Sequence, residues 1–219
     1  MLADDHTLVS EATEEFLRTT GRDYVILGKA GDAAETLLLV SRHQSDILFL
    51  DYDMPGMNRL SDFCAEVRRL SPKTHILMLT GHEHEEVAFE AAISGAKGYI
   101  SKRSSFPDLV NAIDTVLAGG IWVDPLLPPQ VHHTFLQHRG EGSAKLHKLS
   151  RQELKILSLV AEGRSNKEIG GLLHIDKRTV RNHLTHILAK LGVANRAQAG
   201  HIFLPGKKGP VRGRRKTGM

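Results

Sequence analysis

The chain has 219 residues, 41% of them hydrophobic and 25% charged, and these ordinary values exclude a disordered or collagen-like chain. This length can bury a core in one large or two smaller domains, so folding needs no disulfide or structural metal. The net charge of +4 conceals a segregation, because residues 1–130 hold 11 Lys and Arg against 20 Asp and Glu, whereas residues 131–219 hold 18 against 5. An acidic half joined to a basic half predicts two tasks, the second on nucleic acid.

The cellular location follows from what the sequence lacks. No apolar stretch approaches the roughly 20 residues of a membrane-spanning helix, and no basic and apolar leader follows Met1. The single cysteine, Cys64, excludes an intrachain disulfide and is typical of a reducing compartment. We therefore expect a cytoplasmic protein with no membrane partner.

Short apolar runs alternate with segments of helical period in the first half of the chain, which is typical of a parallel sheet covered by helices. The predicted strands are residues 1–3, 24–27, 47–50, 75–79 and 98–100. The predicted helices are residues 7–20, 33–43, 60–70, 85–94 and 106–118. This order predicts an α/β fold with a doubly wound, five-stranded parallel sheet over residues 1–124.

The second half changes to a purely helical pattern. Residues 125–148 carry Pro, Gly and Ser with weak periodicity, which predicts a linker. Capping boxes at Ser150 with Glu153 and at Ser165 with Glu168, and a cap at Asp176, predict the starts of three helices. The predicted helices are residues 151–162, 166–173, 177–191 and 196–203. We expect an all-α domain over residues 149–204 and a basic disordered tail over residues 205–219.

Reactive side chains follow four of the predicted strands. Asp4 and Asp5 follow the first strand, Asp51 the third, Thr80 the fourth and Lys102 the fifth. Functional groups in an open parallel sheet collect at the carboxyl ends of the strands, and converging carboxylates need a cation such as Mg²⁺. A carboxylate nucleophile, a divalent ion, a hydroxyl and an ammonium group together indicate phosphoryl transfer to an aspartate.

Four sequence runs carry this acidic site: ADD at residues 3–5, LFLDYDMPGM at 48–57, ILMLTG at 76–81 and GAKGYISK at 95–102. In this order they resemble the receiver domain of bacterial response regulators, whose fold is flavodoxin-like. The resemblance covers residues 1–123. It implies that Asp51 is the phosphoacceptor for a cognate histidine kinase.

The resemblance also implies a metal site. Asp5 and Asp51 would bind Mg²⁺ together with the backbone carbonyl of Asp53, while Asp4 would support the water ligands of the metal. These four residues are therefore the expected metal-site residues.

The same resemblance implies a conformational switch. Lys102 would pair with the phosphoryl group, and Thr80 with Tyr99 would rearrange on phosphorylation. Asp53 and His82 occupy positions that tune the lifetime of the phosphoryl group in the family.

The third helix of the second domain has two distinct faces. Its core stripe consists of Val180, Leu184, Ile187, Leu188 and Leu191. Its polar face carries Arg178, Arg181, Asn182 and Thr185. A short helix, a tight connection and a second helix with a basic polar face indicate a helix-turn-helix, whose second helix enters the major groove of DNA.

The run from residue 149 to residue 199 resembles the LuxR-type helix-turn-helix, and with the receiver it resembles the NarL/FixJ family of response regulators. By family position the base-facing residues are Arg181, Asn182 and Thr185. The phosphate-facing residues are Asn166, Lys167, Thr179 and His183. The family also implies a homodimer on promoter DNA, with residues 195–203 as the dimer contact.

The sequence is compatible with three functions. The first is a non-enzymatic two-component transcription regulator controlled by phosphorylation of Asp51. The second is a DNA-binding regulator that is independent of phosphorylation and uses its receiver for dimerisation. The third is a Mg²⁺-dependent phosphatase, because the sequence from Asp51 to Asp53 after an apolar strand also resembles the opening motif of haloacid-dehalogenase-like enzymes.

Overall fold

The computed structural model describes residues 1–137, 145–146 and 148–203, without the side chains of residues 151 and 201. It divides the chain into two compact units, Met1–Glu141 and Gly142–Met219. The predicted basic tail and part of the predicted linker lie outside the described residues. None of the helices in the described ranges combines the length and the apolar character that crossing a lipid bilayer requires.

The described residues of the first unit form a parallel sheet of six strands. They are β1 (Leu2–Ala3), β2 (Lys29–Ala30), β3 (Ile47–Leu50), β4 (His75–Thr80), β5 (Gly98–Ser101) and β6 (Trp122–Val123). Their order across the sheet is β2-β1-β3-β4-β5-β6. Every residue of β3 is buried, as expected for a central strand that has helices on both faces.

Six helices cover the two faces of this sheet. They are α1 (Thr7–Thr19), α2 (Ala33–His43), α3 (Leu60–Leu70), α4 (Glu85–Ile93), α5 (Phe106–Leu117) and α6 (Pro129–Gln137). One apolar cluster joins β1, β3 and β4 to α1 and α5. The other joins the opposite face of the sheet to α2, α3, α4 and α6. The predicted doubly wound α/β fold is confirmed.

The predicted second strand at residues 24–27 is wrong, because β2 is Lys29–Ala30. The register pairs Leu2 with Lys29 and Ala3 with Ala30, so residues 24–27 have no pairing partner in β1. The prediction of five strands also needs correction. After Gly119, at φ +85°, the chain turns back, and Trp122–Val123 pairs with β5 as a sixth strand.

The predicted linker over residues 125–148 is not a bare connection. Its first part contains α6, which packs against α4 within the first unit. Val131 and Phe135 of this helix are buried, as is Leu127 before it. Val131 and Phe135 lie four residues apart on one face of α6, and two such positions are too few to indicate a helix from the sequence.

The described residues of the second unit contain four α-helices: α7 (Arg151–Ala161), α8 (Asn166–Leu173), α9 (Lys177–Leu191) and α10 (Arg196–Phe203). Both predicted capping boxes and the Asp176 cap are confirmed, with Ser150, Ser165 and Asp176 accepting backbone N–H bonds. Gly192 ends α9 at φ +65°, a conformation that glycine adopts without steric cost. The buried stripe of α9 contains Val180, Leu184, Ile187 and Leu191, while Leu188 is half-buried.

Candidate functional site

The carboxyl ends of four neighbouring strands bring the predicted acidic site together. Because the strands are parallel and adjacent, the residues that follow them meet at one edge of the sheet. Asp4 follows β1 and Asp51 follows β3, whose last residues pair as Ala3 with Leu50. Thr80 ends β4 opposite Ser101 of β5, and Lys102 comes next.

Lys102 is the electrostatic centre of this edge. Its Nζ lies 2.8 Å from Asp4 Oδ2 and 2.9 Å from Asp51 Oδ2, and both carboxylates are buried. Burial raises the pKa of Asp51, and the hydrogen bond and charge of Lys102 offset part of this effect. The pKa of Lys102 is raised, because its bonds to Asp4 and Asp51 outweigh the lowering effect of burial. The site therefore holds two buried carboxylates around one ammonium group.

A group of possible metal ligands lies beside this ion pair. Asp4, Asp5, His6 and Asp51 each offer one ligand atom, and these atoms lie within 4.8 Å of one another. His6 Nδ1 lies 2.7 Å from Asp5 Oδ1. The carboxylate of Asp53 is not part of this group, and it lies 2.6 Å from His82 Nε2 instead.

Thr80, Tyr99 and His82 form a connected set next to the carboxylates. The backbone N–H of His82 donates to Thr80 Oγ1 at 3.1 Å, and the Tyr99 hydroxyl donates to the His82 carbonyl at 2.7 Å. Tyr99 is fully buried, and burial raises the pKa of its hydroxyl. His82 therefore holds Thr80 and Tyr99 through its backbone and Asp53 through its ring.

The structure adds roles that the sequence interpretation missed. His6 was not identified as a candidate ligand, although an imidazole directly after two aspartates is a usable signal. His82 was noted only by family position. Its backbone contacts with Thr80 and Tyr99 depend on how the loop after β4 folds, which no local pattern in the sequence reveals.

The second unit presents the predicted polar face of α9 to solvent. Its exposed residues include Arg178, Thr179, Arg181, Asn182 and Thr185. His183 is half-buried, because it borders the core stripe of the helix. Thr185 Oγ1 donates to the backbone carbonyl of Arg181 at 3.2 Å, so its hydroxyl is bonded within the helix.

The amino terminus of α8 carries the other two predicted phosphate contacts. Lys167 is exposed, whereas Asn166 is half-buried and its Oδ1 accepts a hydrogen bond of 3.0 Å from Arg196 of α10. Arg196 also donates to the backbone carbonyl of Arg164. The side chain of Asn166 is therefore held by α10, whereas Lys167 is an exposed cation at this helix end.

Each half of the chain matches a known protein family. Residues 1–114 match the response regulator receiver domain, and residues 147–203 match the bacterial regulatory proteins of the luxR family. The chain is 32% identical over 202 residues to the oxygen regulatory protein NreC of Staphylococcus carnosus, covering 90% of this chain and 93% of that protein. It is 33% identical over the same length and coverage to NreC of Staphylococcus aureus strain MRSA252.

Solved structures show the same architecture. A two-component response regulator of the LuxR family from Aurantimonas is 29% identical, with a TM-score of 0.53 over 62% of this chain and 93% of that one. RcsB of Salmonella enterica serovar Typhimurium, bound to a promoter, is 21% identical, with a TM-score of 0.54 over 93% of this chain and 96% of that one, and shares the fold. The chain therefore belongs to the two-component response regulators that join a receiver domain to a LuxR-family DNA-binding domain and regulate transcription.

Proposed function

We propose that Asp51 accepts a phosphoryl group from a cognate histidine kinase and that this event controls promoter binding by the second domain. The observation that carries the proposal is the Lys102 ammonium group, held within 2.9 Å of both Asp4 and Asp51. The Tyr52 N–H donates to Asp51 Oδ1 at 2.8 Å and orients the carboxylate. In the transfer, an Asp51 oxygen bonds to phosphorus while the bond from phosphorus to the kinase histidine breaks.

The donor set of the site supports Mg²⁺ as the cofactor. Asp5 and Asp51 would supply the carboxylate oxygens that this ion prefers, together with the backbone carbonyl of Asp53, while Asp4 would support its water ligands. Bound Mg²⁺ would offset negative charge on the incoming phosphoryl group. Lys102 would then pair with a phosphoryl oxygen, and the Thr80 hydroxyl would donate to another.

The exposed face of α9 supports DNA recognition by this domain. Arg181 and Asn182 are free of the core and lie one helix turn from Arg178 and Thr185, as base-reading and phosphate-binding residues require. Lys167 at the start of α8 would contact the phosphate backbone. A homodimer through α10 would place two copies of α9 on half-sites about one turn of DNA apart.

Phosphorylation is tested with the protein, Mg²⁺ and a small acyl phosphate donor. We expect a mass increase of one phosphoryl group in the native chain, none in Asp51→Asn, and tighter promoter binding only in the modified chain. No mass gain with any donor, together with unchanged DNA binding, would favour the phosphorylation-independent regulator. Repeated turnover of a phosphate ester, lost in Asp53→Asn, would favour the phosphatase.

A further inference from the structure

Helix α4 is enclosed on more sides than a surface helix of a receiver sheet needs to be. Its buried residues are Val87, Ala88, Phe89, Ala91, Ala92 and Ile93. A helix that is apolar on most sides must be covered by more than the sheet beneath it. The cover is α6, whose Val131 and Phe135, 1% and 0% exposed, belong to the same apolar cluster as α4.

The cover reaches the switch tyrosine directly. The ring centroids of Phe135 and Tyr99 lie 5.8 Å apart, within the range of distances at which aromatic pairs stabilise each other. Both side chains are fully buried. Removing the Phe135 ring would therefore take away part of the wall against which Tyr99 packs.

A second connection joins β5 to the start of α6 through Asp124, which is fully buried. Its backbone N–H donates to the Tyr99 carbonyl at 3.0 Å, and its carboxylate accepts from the Ser101 N–H at 3.1 Å. On the other side, the His132 ring of α6 hydrogen bonds to the Asp124 carbonyl. The strand that carries Tyr99 and the helix that carries Phe135 are thus joined by two independent sets of contacts.

From Tyr99 the contacts continue to the phosphoacceptor site. Tyr99 donates to the His82 carbonyl, and the His82 N–H donates to Thr80 Oγ1. A hydroxyl that accepts one bond still has its own proton to donate. The buried position of Tyr99 therefore supports a Thr80 hydroxyl that can donate to a phosphoryl oxygen on Asp51.

We propose that α6, the helix of the segment between the two domains, is a regulatory element that docks on α4 and holds Tyr99 buried through Phe135, so that α6 docking and phosphorylation of Asp51 stabilise each other. The proposal rests on Asp51 being the phosphoacceptor. Phe135 is a positioning residue in this scheme.

Thermodynamic linkage makes the proposal measurable, because two coupled events must change each other's equilibrium by the same factor. The probe is beryllofluoride with Mg²⁺, a non-covalent analogue of the phosphoryl group. We expect saturating beryllofluoride to slow hydrogen exchange of the α6 amides by about 5- to 150-fold, the usual range of coupling between sites. The amides of α2, on the same sheet face but outside these contacts, serve as the reference.

The matched variants are Phe135→Ala and Leu136→Ala, neighbours on α6 of which the second is 51% exposed. Calorimetry is expected to show weaker beryllofluoride binding in Phe135→Ala, by the same factor as the exchange effect, and native binding in Leu136→Ala. Phe135→Leu, which keeps the apolar volume, should recover most of the affinity. If Phe135→Ala does not fold, Val131→Ala takes its place, and the exchange measurement needs no variant.

Unchanged α6 exchange at saturating beryllofluoride, or equal affinity in Phe135→Ala and Leu136→Ala, would overturn the coupling and leave the phosphoacceptor role of Asp51 intact. Beryllofluoride binding that is absent, or equal in Asp51→Asn, would instead overturn the proposed function and the coupling together. The two failures are therefore distinguishable.

Discussion

The two units use charge in opposite ways. In the first, Asp4 and Asp51 are 7% and 3% exposed, and Lys102 forms an ion pair with each of them. In the second, Arg178 and Arg181 are exposed to solvent on α9. A phosphoacceptor gains from an environment that excludes water, because electrostatic interactions are stronger there. A DNA-binding face must leave its cations free for phosphates and base edges.

The largest expected effect comes from removing the cation that pairs with the buried carboxylates of the first unit. Lys102→Met leaves two buried carboxylates without their cation, and we expect a loss of about 3 to 5 kcal/mol in the free energy of unfolding. Urea unfolding followed by the fluorescence of Trp122, the single tryptophan of the chain, measures this unit. Arg103→Met, at a side chain that is 81% exposed, is the control and should stay within about 0.5 kcal/mol. Equal losses in both variants would contradict the buried-charge account.

The exposed charges of the second unit should affect DNA binding and leave stability nearly unchanged. Arg181→Ala is expected to cost about 1 to 3 kcal/mol on the specific operator and little on random DNA, because a base contact is lost. Lys167→Ala should weaken binding to both DNAs and reduce the salt dependence by about one phosphate contact. Titrations at matched salt concentrations measure both. An equal loss on both DNAs for Arg181→Ala would rule out base reading.

Substitutions at two adjacent glycines of α8 distinguish the effect of helix propensity on stability from the effect of packing in the second unit. A Cβ at Gly170 would lie 2.7 Å from the Ile175 carbonyl oxygen, whereas a Cβ at Gly171 would meet nothing within 4 Å. We expect Gly170→Ala to destabilise this unit by about 1 to 3 kcal/mol. Gly171→Ala should stabilise it by up to about 1 kcal/mol. Thermal unfolding followed by circular dichroism measures both, and a stabilising Gly170→Ala would contradict the close approach of α8 to the turn before α9.

The two units are also expected to differ in the pH dependence of their stability. Burial acts to raise the pKa of Glu153, but bonds from Lys190 and Ser150 outweigh it, so the pKa is lowered. The stabilisation is complete above the pKa of the unfolded chain and disappears as pH falls through the folded pKa. The raised pKa of Asp51 has the opposite sign, since its ionisation costs stability that is regained as pH falls.

The measurement compares Glu153→Gln and Asp51→Asn with the native chain from about pH 7 to about pH 3, with a metal chelator present. Glu153→Gln should lose about 1 to 2 kcal/mol at neutral pH and approach the native stability in acid. Asp51→Asn should show a difference that changes with pH in the opposite direction. If the stability difference from the native chain changed with pH in the same direction in both variants, the opposite signs assigned to Glu153 and Asp51 would be wrong.

Features that depend on neighbouring residues could be predicted from the sequence. Helices α2, α3, α8, α9 and α10 have the predicted bounds, and α1, α4, α5 and α7 end one residue earlier than predicted. These bounds follow from caps such as Asp32, Ser165 and Asp176, which bond to backbone groups two or three residues away. The convergence of Asp4, Asp51, Thr80 and Lys102 was also predictable, because parallel strands end at one edge.

Features that depend on a partner far along the chain were decided only by the tertiary structure. The sequence by itself determined the periodic helices, their caps and the residues that end each strand, since these rest on contacts within a few residues. It could not place β2, which depends on where β1 begins, or β6, which depends on the free edge of β5. It also left α6 as a linker, because the contacts with α4 that give this helix its role form only on folding.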